Sequence, residues 1–228
     1  MDDQTLLYQA RHAVYGLLQR LYQDPPDETL LAWLAAERPF QEFPVALDEE
    51  ATLALQEVDQ ASQAASAETL RQDFRRLFVG PGPMLAPPWE SVYRNEEHRL
   101  FDQHTLQVRQ TYARHGMEFV RKNETPEDII AIELEFMKVL TERLLRAVEA
   151  GDGRAERILL AEQHRFLKEH LLVWVPRFVA LTRKHAETAF YRGLAGVLLG
   201  FLQWEEQTLR QLLELLPQDT ELSANPAN

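Results

Sequence analysis

The spacing of apolar residues predicts helices along almost the whole chain. In residues 5–22, leucines and other apolar side chains recur at three- and four-residue intervals, the period of one helix face. The same period runs through residues 129–148 and the leucine-rich residues 188–216. No alternating run of β-branched residues predicts a strand. The pattern therefore predicts an all-α, single-domain helical bundle of about eight to ten helices with one long Gly/Pro-rich loop.

Residues that favour helix ends divide this pattern into elements. Asp27, Asp48 and Ser66 are N-cap candidates for the second, third and fourth helices. The helix after Asp48 is rich in alanine and has few large apolar side chains, which predicts a peripheral position. Pro176 is predicted to kink or end the helix that covers residues 154–174.

The long helix of residues 125–148 has a start signal of its own. Thr125 stands at a favourable N-cap position and Pro126 at the first helical position. Glu127 and Asp128 would then lie in the first turn, where carboxylates interact favourably with the helix dipole. Capping of this helix is therefore one sufficient explanation for Asp128.

Residues 77–93 form the predicted Gly/Pro-rich loop. Gly80 and Gly82 allow positive φ, and the four prolines of the stretch fix their own φ and remove backbone donors. The loop should therefore be stiff and extended, and it carries Trp89, Glu90 and Tyr93. Stiff loops on a helical scaffold often bind partners, although a connector that packs its own aromatic side chains on the core has the same composition.

Composition is that of a globular protein without thiol chemistry. The chain has 228 residues, 45% of them hydrophobic and 26% charged, and it has no cysteine. Disulfides, thiolate metal sites and cysteine nucleophiles are thereby excluded. The acidic start of the chain does not resemble an export signal, and the most apolar run, residues 193–202, is shorter than a membrane span. We expect a cytoplasmic protein without stable membrane insertion.

The negative charge is concentrated in the first third of the chain. The net charge is −12, and residues 1–70 hold 13 acidic residues against three arginines. Such a chain repels nucleic-acid phosphates and attracts basic segments. Residues 1–65 are predicted to form an acidic N-terminal lobe on a main bundle of residues 66–217. Residues 218–228 are predicted to be a disordered tail.

Catalytic and metal-binding spacings are missing from the sequence. No histidine follows a glutamate by three residues, and no phosphate-binding glycine loop is present. Ser91 has no histidine near it in the sequence, as a nucleophile would require. His170, beside apolar neighbours, is expected to be a hydrogen-bonded core histidine. We therefore predict no enzyme, no metal and no cofactor.

Four stretches, taken together and in this order, carry a family resemblance. Residues 77–93 and residues 123–128, the second similar to a Pro-x-Asp-His box, are followed by residues 166–176 and residues 190–195. Together they resemble the TorD/DmsD family of redox-enzyme maturation chaperones. The chain departs from the family pattern at Ile129, where a histidine is expected.

The resemblance implies a chaperone of the cytoplasm. Such a protein would bind the twin-arginine leader and the apo catalytic subunit of a molybdopterin-containing reductase, of the DMSO- or TMAO-reductase type, until the cofactor is inserted. Aromatic residues of the loop would anchor the leader and carboxylates would pair with its arginines, unless Trp89 belongs to the core. The predicted leader-binding residues are Phe78, Pro87, Pro88, Trp89, Glu90, Ser91, Tyr93, Glu124, Glu127 and Asp128.

Three other functions fit the same residues. One is an assembly chaperone for a nitrate-reductase-type subunit that acts without a leader. Another is a bundle that binds a small ligand, such as a guanine nucleotide or the molybdopterin dinucleotide. The last is a structural or dimerising bundle that exchanges its last helix between chains, so that a monomer and a domain-swapped homodimer are both open.

Overall fold

The computed structural model describes residues 3–94, 103–118 and 126–216, and this part of the chain is predominantly helical. In these ranges the only β-type pairing is an isolated antiparallel bridge between Trp89 and Ile129. The prediction of an all-α bundle is confirmed. The α-helices of these ranges are α1 (Asp3–Gln23), α2 (Glu28–Glu37), α3 (Glu49–Ala64), α4 (Ala67–Phe74), α5 (Glu90–Arg94), α6 (Gln103–Arg114), α7 (Ile130–Glu149), α8 (Gly153–Phe166), α9 (Leu172–His185) and α10 (Ala189–Leu215).

Two π-helical turns continue α-helices. Arg75–Val79 extends α4 towards the Gly/Pro-rich loop, and Leu167–Leu171 joins α8 to α9. Pro176 does not end the helix in which it lies, because α9 continues through this proline to His185. The alternative that Pro176 ends the helix is therefore wrong. Trp174, Val175 and Phe178 are buried around Pro176. Their packing compensates for the backbone hydrogen bond that the proline lacks.

The local start signals of three helices are confirmed. The side chains of Asp27 and Asp48 each accept a backbone N–H at 2.8 Å, and the Ser66 hydroxyl accepts one at 3.2 Å. The start predicted for the long helix is wrong. Residues 126–128 are not helical, and α7 begins at Ile130 after an extended Ile129 with ψ 139°. The predicted cap, Thr125, lies outside the described residues.

Helix α3 is not peripheral, which corrects the expectation from its composition. It packs closely against α10, where Gly193, Gly196 and Gly200 present a surface without side chains. A Cβ atom on Gly196 would lie 2.6 Å from the Cβ of Ala54, and one on Gly200 would lie 2.2 Å from the Cβ of Ala51. The small side chains of α3 therefore permit a close helix–helix approach.

The helices of the predicted acidic lobe pack against the rest of the molecule. α1 lies along α7, and α3 lies along α10. The division into a lobe and a main bundle stays a prediction, with these contacts joining its two parts. The predicted disordered tail, residues 218–228, lies outside the described residues. Among the described helices, none is long and apolar enough to cross a membrane.

A buried ion pair connects the first helix to the last. The Nε atom of Arg11 donates to both carboxylate oxygens of Glu205 at 3.1 and 2.9 Å, and both side chains are fully buried. Arg11 also donates to Gln163 of α8, and the Tyr15 hydroxyl donates to Glu205 at 3.0 Å. One polar network thus joins α1, α8 and α10 inside an apolar core.

Candidate functional site

The Gly/Pro-rich loop and the residues around Asp128 are paired through their backbones. The N–H of Glu90 donates to the carbonyl of Asp128 at 2.9 Å, and the N–H of Ile130 donates to the carbonyl of Pro88 at 2.9 Å. Trp89 and Ile129 face each other between these two bonds. Two stretches that are far apart in the sequence therefore form one structural unit. Ile129, the departure from the family pattern, lies in this pairing.

Asp128 links three parts of this unit. Its side chain is fully buried and accepts the N–H of Ser91 at 2.7 Å and the hydroxyl of Thr105 at 2.9 Å. It therefore caps α5 and holds α6. The expectation that Asp128 caps the long helix α7 is wrong. Burial raises the pKa of the Asp128 carboxyl, and the hydrogen bonds from Ser91 and Thr105 partly oppose this rise.

Glu127 forms a two-point ion pair with α6. The Nε and Nη2 atoms of Arg109 donate to its two carboxylate oxygens at 2.8 and 2.9 Å, and the glutamate is almost fully buried. The Tyr112 hydroxyl donates to the Glu127 carbonyl at 3.3 Å. The charge of Glu127 is thereby neutralised within the protein. Glu124, another predicted carboxylate, lies outside the described residues.

Glu90 is a predicted carboxylate whose partners, Arg94 and His170, line an open groove. It is fully buried, its two oxygens lie 3.2 and 3.0 Å from Nδ1 of His170, and it also accepts from Arg94. Burial alone would raise the pKa of Glu90, but the hydrogen bonds and charges of His170 and Arg94 outweigh it, so that the pKa is lowered. His170 is the hydrogen-bonded core histidine that the sequence predicts.

A second buried glutamate lies beside Glu90 and was not among the predicted residues. Nε1 of Trp174 donates to Oε2 of Glu133 at 3.1 Å, whereas Oε1 of Glu133 has no hydrogen-bond partner. Burial and then the charge of Glu90 raise the pKa of Glu133 well above its ordinary value. The sequence did carry a signal, because Glu133 is a charged residue on the apolar face of residues 129–148.

The aromatic residues of the loop are divided between core and surface. Phe78 and Tyr93 are buried, and Tyr93 stacks on Trp174 with ring centroids 5.5 Å apart. Trp89 is half-buried, and its Nε1 has no partner. Of the two prolines, Pro88 is buried and Pro87 is half-buried. Packing of aromatic side chains on the core therefore accounts for Phe78 and Tyr93, while Trp89 and Pro87 retain some exposed surface.

A groove of about 920 Å³ opens directly over the Glu90 ion pairs. Its walls come from α6, from the end of α5, and from the π turn that leads into α9. Its volume falls within the range that is typical of ligand-binding clefts. The lining residues are Arg94, Gln107, Gln110, Thr111, Ala113, Arg114, Glu169, His170 and Val173. Within the described ranges, no cluster of three or more histidine or carboxylate side chains could hold a metal ion.

Comparison with known proteins identifies the family of this chain. A family model described as nitrate reductase delta subunit matches residues 45–180, and the chain belongs to this family. A similar relative is the Tat proofreading chaperone DmsD of Salmonella typhi, 34% identical over 145 residues, which are 63% of this chain and 64% of the relative. The chain thus matches slightly less than two thirds of this relative's length.

Relatives named TorD extend the match. The chaperone protein TorD of Psychrobacter sp. strain PRwf-1 is 27% identical over 213 residues, which cover 90% of this chain and 94% of the relative. TorD of Vibrio cholerae is 28% identical over 145 residues, 64% of each protein. The resemblance to the TorD/DmsD family is therefore confirmed. These relatives are named as chaperones rather than as enzymes, which is the class that the sequence predicts.

Proposed function

We propose that this protein is a cytoplasmic chaperone for a molybdopterin-containing reductase of the DMSO- or TMAO-reductase type. It binds the enzyme's twin-arginine leader and its apo form until the cofactor has been inserted, and then allows export. The names of the relatives, Tat proofreading chaperone DmsD and chaperone TorD, support this class of function. The detailed role, the partner and the cellular location are parts of the proposal.

The observation that carries the proposal is the position of Glu90 beneath the groove. Arginine pairs strongly with a carboxylate through parallel hydrogen bonds, so a leader that contains arginines needs an ionised carboxylate within reach. Glu127 and Asp128 are engaged by Arg109, Ser91 and Thr105 inside the protein. The partners of Glu90, in contrast, line the groove themselves.

The apolar part of a leader also has a matching surface. Val173 lines the groove and is 45% exposed, and Leu106 on α6 is 50% exposed. Leu106 lies one helical turn before Gln110 of the groove wall and therefore on the same face of α6. Both side chains therefore offer apolar surface at or next to the groove, where an apolar segment could cover it. We propose that they contact the apolar segment that follows the arginines.

The proposal is tested by calorimetry with a synthetic peptide that has two adjacent arginines followed by twelve apolar residues. We expect binding to the folded protein, loss of affinity when glutamine replaces both arginines, and weaker binding at higher salt, because the charges are then screened. Co-purification from cells that produce a molybdopterin reductase should recover its cofactor-free form. Equal affinity for the arginine and glutamine peptides would contradict the proposal.

The family description favours one alternative. Because the matching family model is described as nitrate reductase delta subunit, the client could instead be a nitrate-reductase-type subunit without a leader. In that case the chain would bind the folded or nascent catalytic subunit but neither peptide. A pull-down with a reductase lacking its leader, beside the intact one, separates the two functions. Analytical ultracentrifugation of the same samples decides between a monomer and a domain-swapped homodimer.

A further inference from the structure

Arg94 is paired with the carboxylate of Glu90, which an arginine of a bound leader would need as its own partner. It stands four residues after Glu90 in the short helix α5, and its Nη1 atom donates both to Glu90 and to the carbonyl of Glu169 at 2.9 Å. The side chain of Arg94 is 23% exposed, whereas that of Glu90 is fully buried. Arg94 therefore lies between Glu90 and the groove, with one side towards each.

A buried carboxylate requires such a partner. Leaving an ionised side chain unpaired in the interior is strongly unfavourable, so the free protein needs a cation on Glu90. Nδ1 of His170 lies 3.2 and 3.0 Å from the two oxygens of Glu90, and His170 also lines the groove. Arg94 completes the coordination of the carboxylate. An incoming guanidinium could take over the same role, since it would make the same kind of hydrogen bonds.

We propose that Arg94 is an internal stand-in for the guest arginine, and that it is displaced from Glu90 when the leader binds. This inference rests on the proposed function and adds its regulation. One guanidinium replaces another at Glu90, so the carboxylate is never left unpaired and His170 stays in place. Arg94 thereby lowers the affinity for basic peptides in general, and only a guest with further contacts in the groove can displace it.

The geometry favours the displacement. Arg94 is the last residue of α5 that the structure describes, and part of its side chain already faces the groove. Its other acceptor is a single backbone carbonyl, which solvent can replace. The groove has room for both the released side chain and a guest. Because the protein must release Arg94 first, the observed affinity is the intrinsic affinity reduced by the fraction of molecules with Glu90 accessible.

The test compares Arg94→Ala with Arg114→Ala. Arg114 lines the same groove but donates to the hydroxyl of Thr111, at 2.9 Å, so its removal changes the net charge equally without freeing Glu90. With the peptide of two arginines and twelve apolar residues, we expect R94A to bind about tenfold more tightly than R114A, if one molecule in ten of the wild type is accessible. The glutamine version of the peptide should bind both variants equally.

Two further variants make the test decisive. Glu90→Gln combined with R94A removes the negative charge that attracts a guanidinium, so the gain in affinity should vanish. Arg94→Lys keeps the charge but offers only a point contact to the carboxylate, and it should give a smaller gain. It also serves if R94A does not fold, which circular dichroism will show. Equal or weaker binding of the arginine peptide by R94A and R94K, relative to R114A, would overturn the stand-in role.

Failure of the inference and failure of the proposed function give different results. If wild type and R94A bind the arginine peptide with equal affinity, the protein binds leaders but Arg94 does not compete with them. If none of the variants binds the arginine peptide better than the glutamine peptide, Glu90 does not recognise arginine, and the leader-binding function itself fails.

Discussion

Glu90 and Glu133 are neighbouring buried glutamates whose surroundings shift the pKa values of their carboxyls in opposite directions. Glu90 interacts with His170 and Arg94, and its pKa is lowered, so it is charged at neutral pH. Glu133 has only the indole N–H of Trp174 and faces the charge of Glu90, and its pKa is raised. The raised pKa favours the uncharged form of Glu133, which limits the negative charge next to Glu90.

The raised pKa of Glu133 predicts how stability depends on pH. The unfolded chain releases this proton near the ordinary value of 4.5, whereas the folded protein retains it to higher pH. The folded state therefore binds more protons between these pH values, and its stability falls as the pH rises through the folded pKa. Glu133→Gln removes this titration and keeps an acceptor for Trp174. We expect the free energy of unfolding of E133Q relative to wild type to increase from pH 5 to pH 8, measured by urea denaturation.

Glu90→Gln provides the comparison for this experiment. The lowered pKa of Glu90 contributes stability above the ordinary value of 4.5, and this contribution is lost as the pH falls through the folded pKa. E90Q should therefore lose more stability at pH 7 than at pH 3.5, the opposite trend to E133Q. A constant difference between E133Q and wild type across the pH range would mean that Glu133 ionises normally in the folded protein.

We predict that Asp128 stabilises the fold through its hydrogen bonds rather than by pairing with an arginine of a bound leader. Asp128→Ala leaves the Ser91 N–H without its acceptor in a buried position, and we expect a loss of about 2 kcal/mol in the free energy of unfolding. Asp128→Asn can still accept from Ser91 and should lose less. Chemical denaturation of the two variants measures both. If D128N and D128A both prove as stable as wild type, the cap on α5 does not contribute to the free energy of unfolding.

At the scale of single elements, the close contact of α3 with α10 predicts that adding one methyl group is harmful. Gly200→Ala would place a Cβ 2.2 Å from that of Ala51, so the helices must separate, at a cost of about 1–3 kcal/mol. Gly16→Ala in α1 is the matched control. Its Cβ would lie 3.6 Å from Lys138, an ordinary contact, and the helix should gain about 0.5–1 kcal/mol. Thermal unfolding of the two variants should therefore shift in opposite directions.

Helices whose ends depend on local residues could be predicted from the sequence. The caps at Asp27, Asp48 and Ser66 need only a side chain and a backbone amide three residues later. The start of α7 could not be predicted, because the extended pairing of Ile129 with Trp89 competes with the cap and involves a distant stretch. The position of α3 was missed for a related reason. The alanines of α3 fit closely against the glycines of α10, and the sequence of α3 alone does not indicate this fit.

The candidate site could be located from the sequence but not arranged. The sequence singled out residues 77–93 and 123–128, and the structure pairs the two stretches through the backbones of Glu90 and Asp128. Burial was misjudged because charged side chains are expected at the surface, whereas Glu127 and Asp128 find partners on α6. The partnership of Glu90 with His170 needs α5 and the π turn before α9 to meet, which no local pattern indicates.

For the whole molecule, the buried pair of Arg11 and Glu205 fixes how the first and last helices meet. Arg11→Met removes the partner of a fully buried carboxylate and should cost about 3–5 kcal/mol, whereas combining it with Glu205→Leu should restore much of the loss. A double-mutant cycle by urea denaturation measures the coupling between the two positions. Additive effects of the two substitutions would show that the pair contributes little to stability.

The backbone pairing of residues 88–90 with residues 128–130 closes the chain between them, which contains α6, into a loop. Ser91 and Asp128 are 37 residues apart in the sequence, so the hydrogen bonds of the pairing must offset the entropy cost of closing this loop. We therefore expect these bonds to open together in one cooperative event. The amide hydrogens of Glu90, Ser91 and Ile130 should then exchange with solvent at a common opening free energy. A leader bound in the adjoining groove would slow all three together, which makes their exchange a direct record of occupancy.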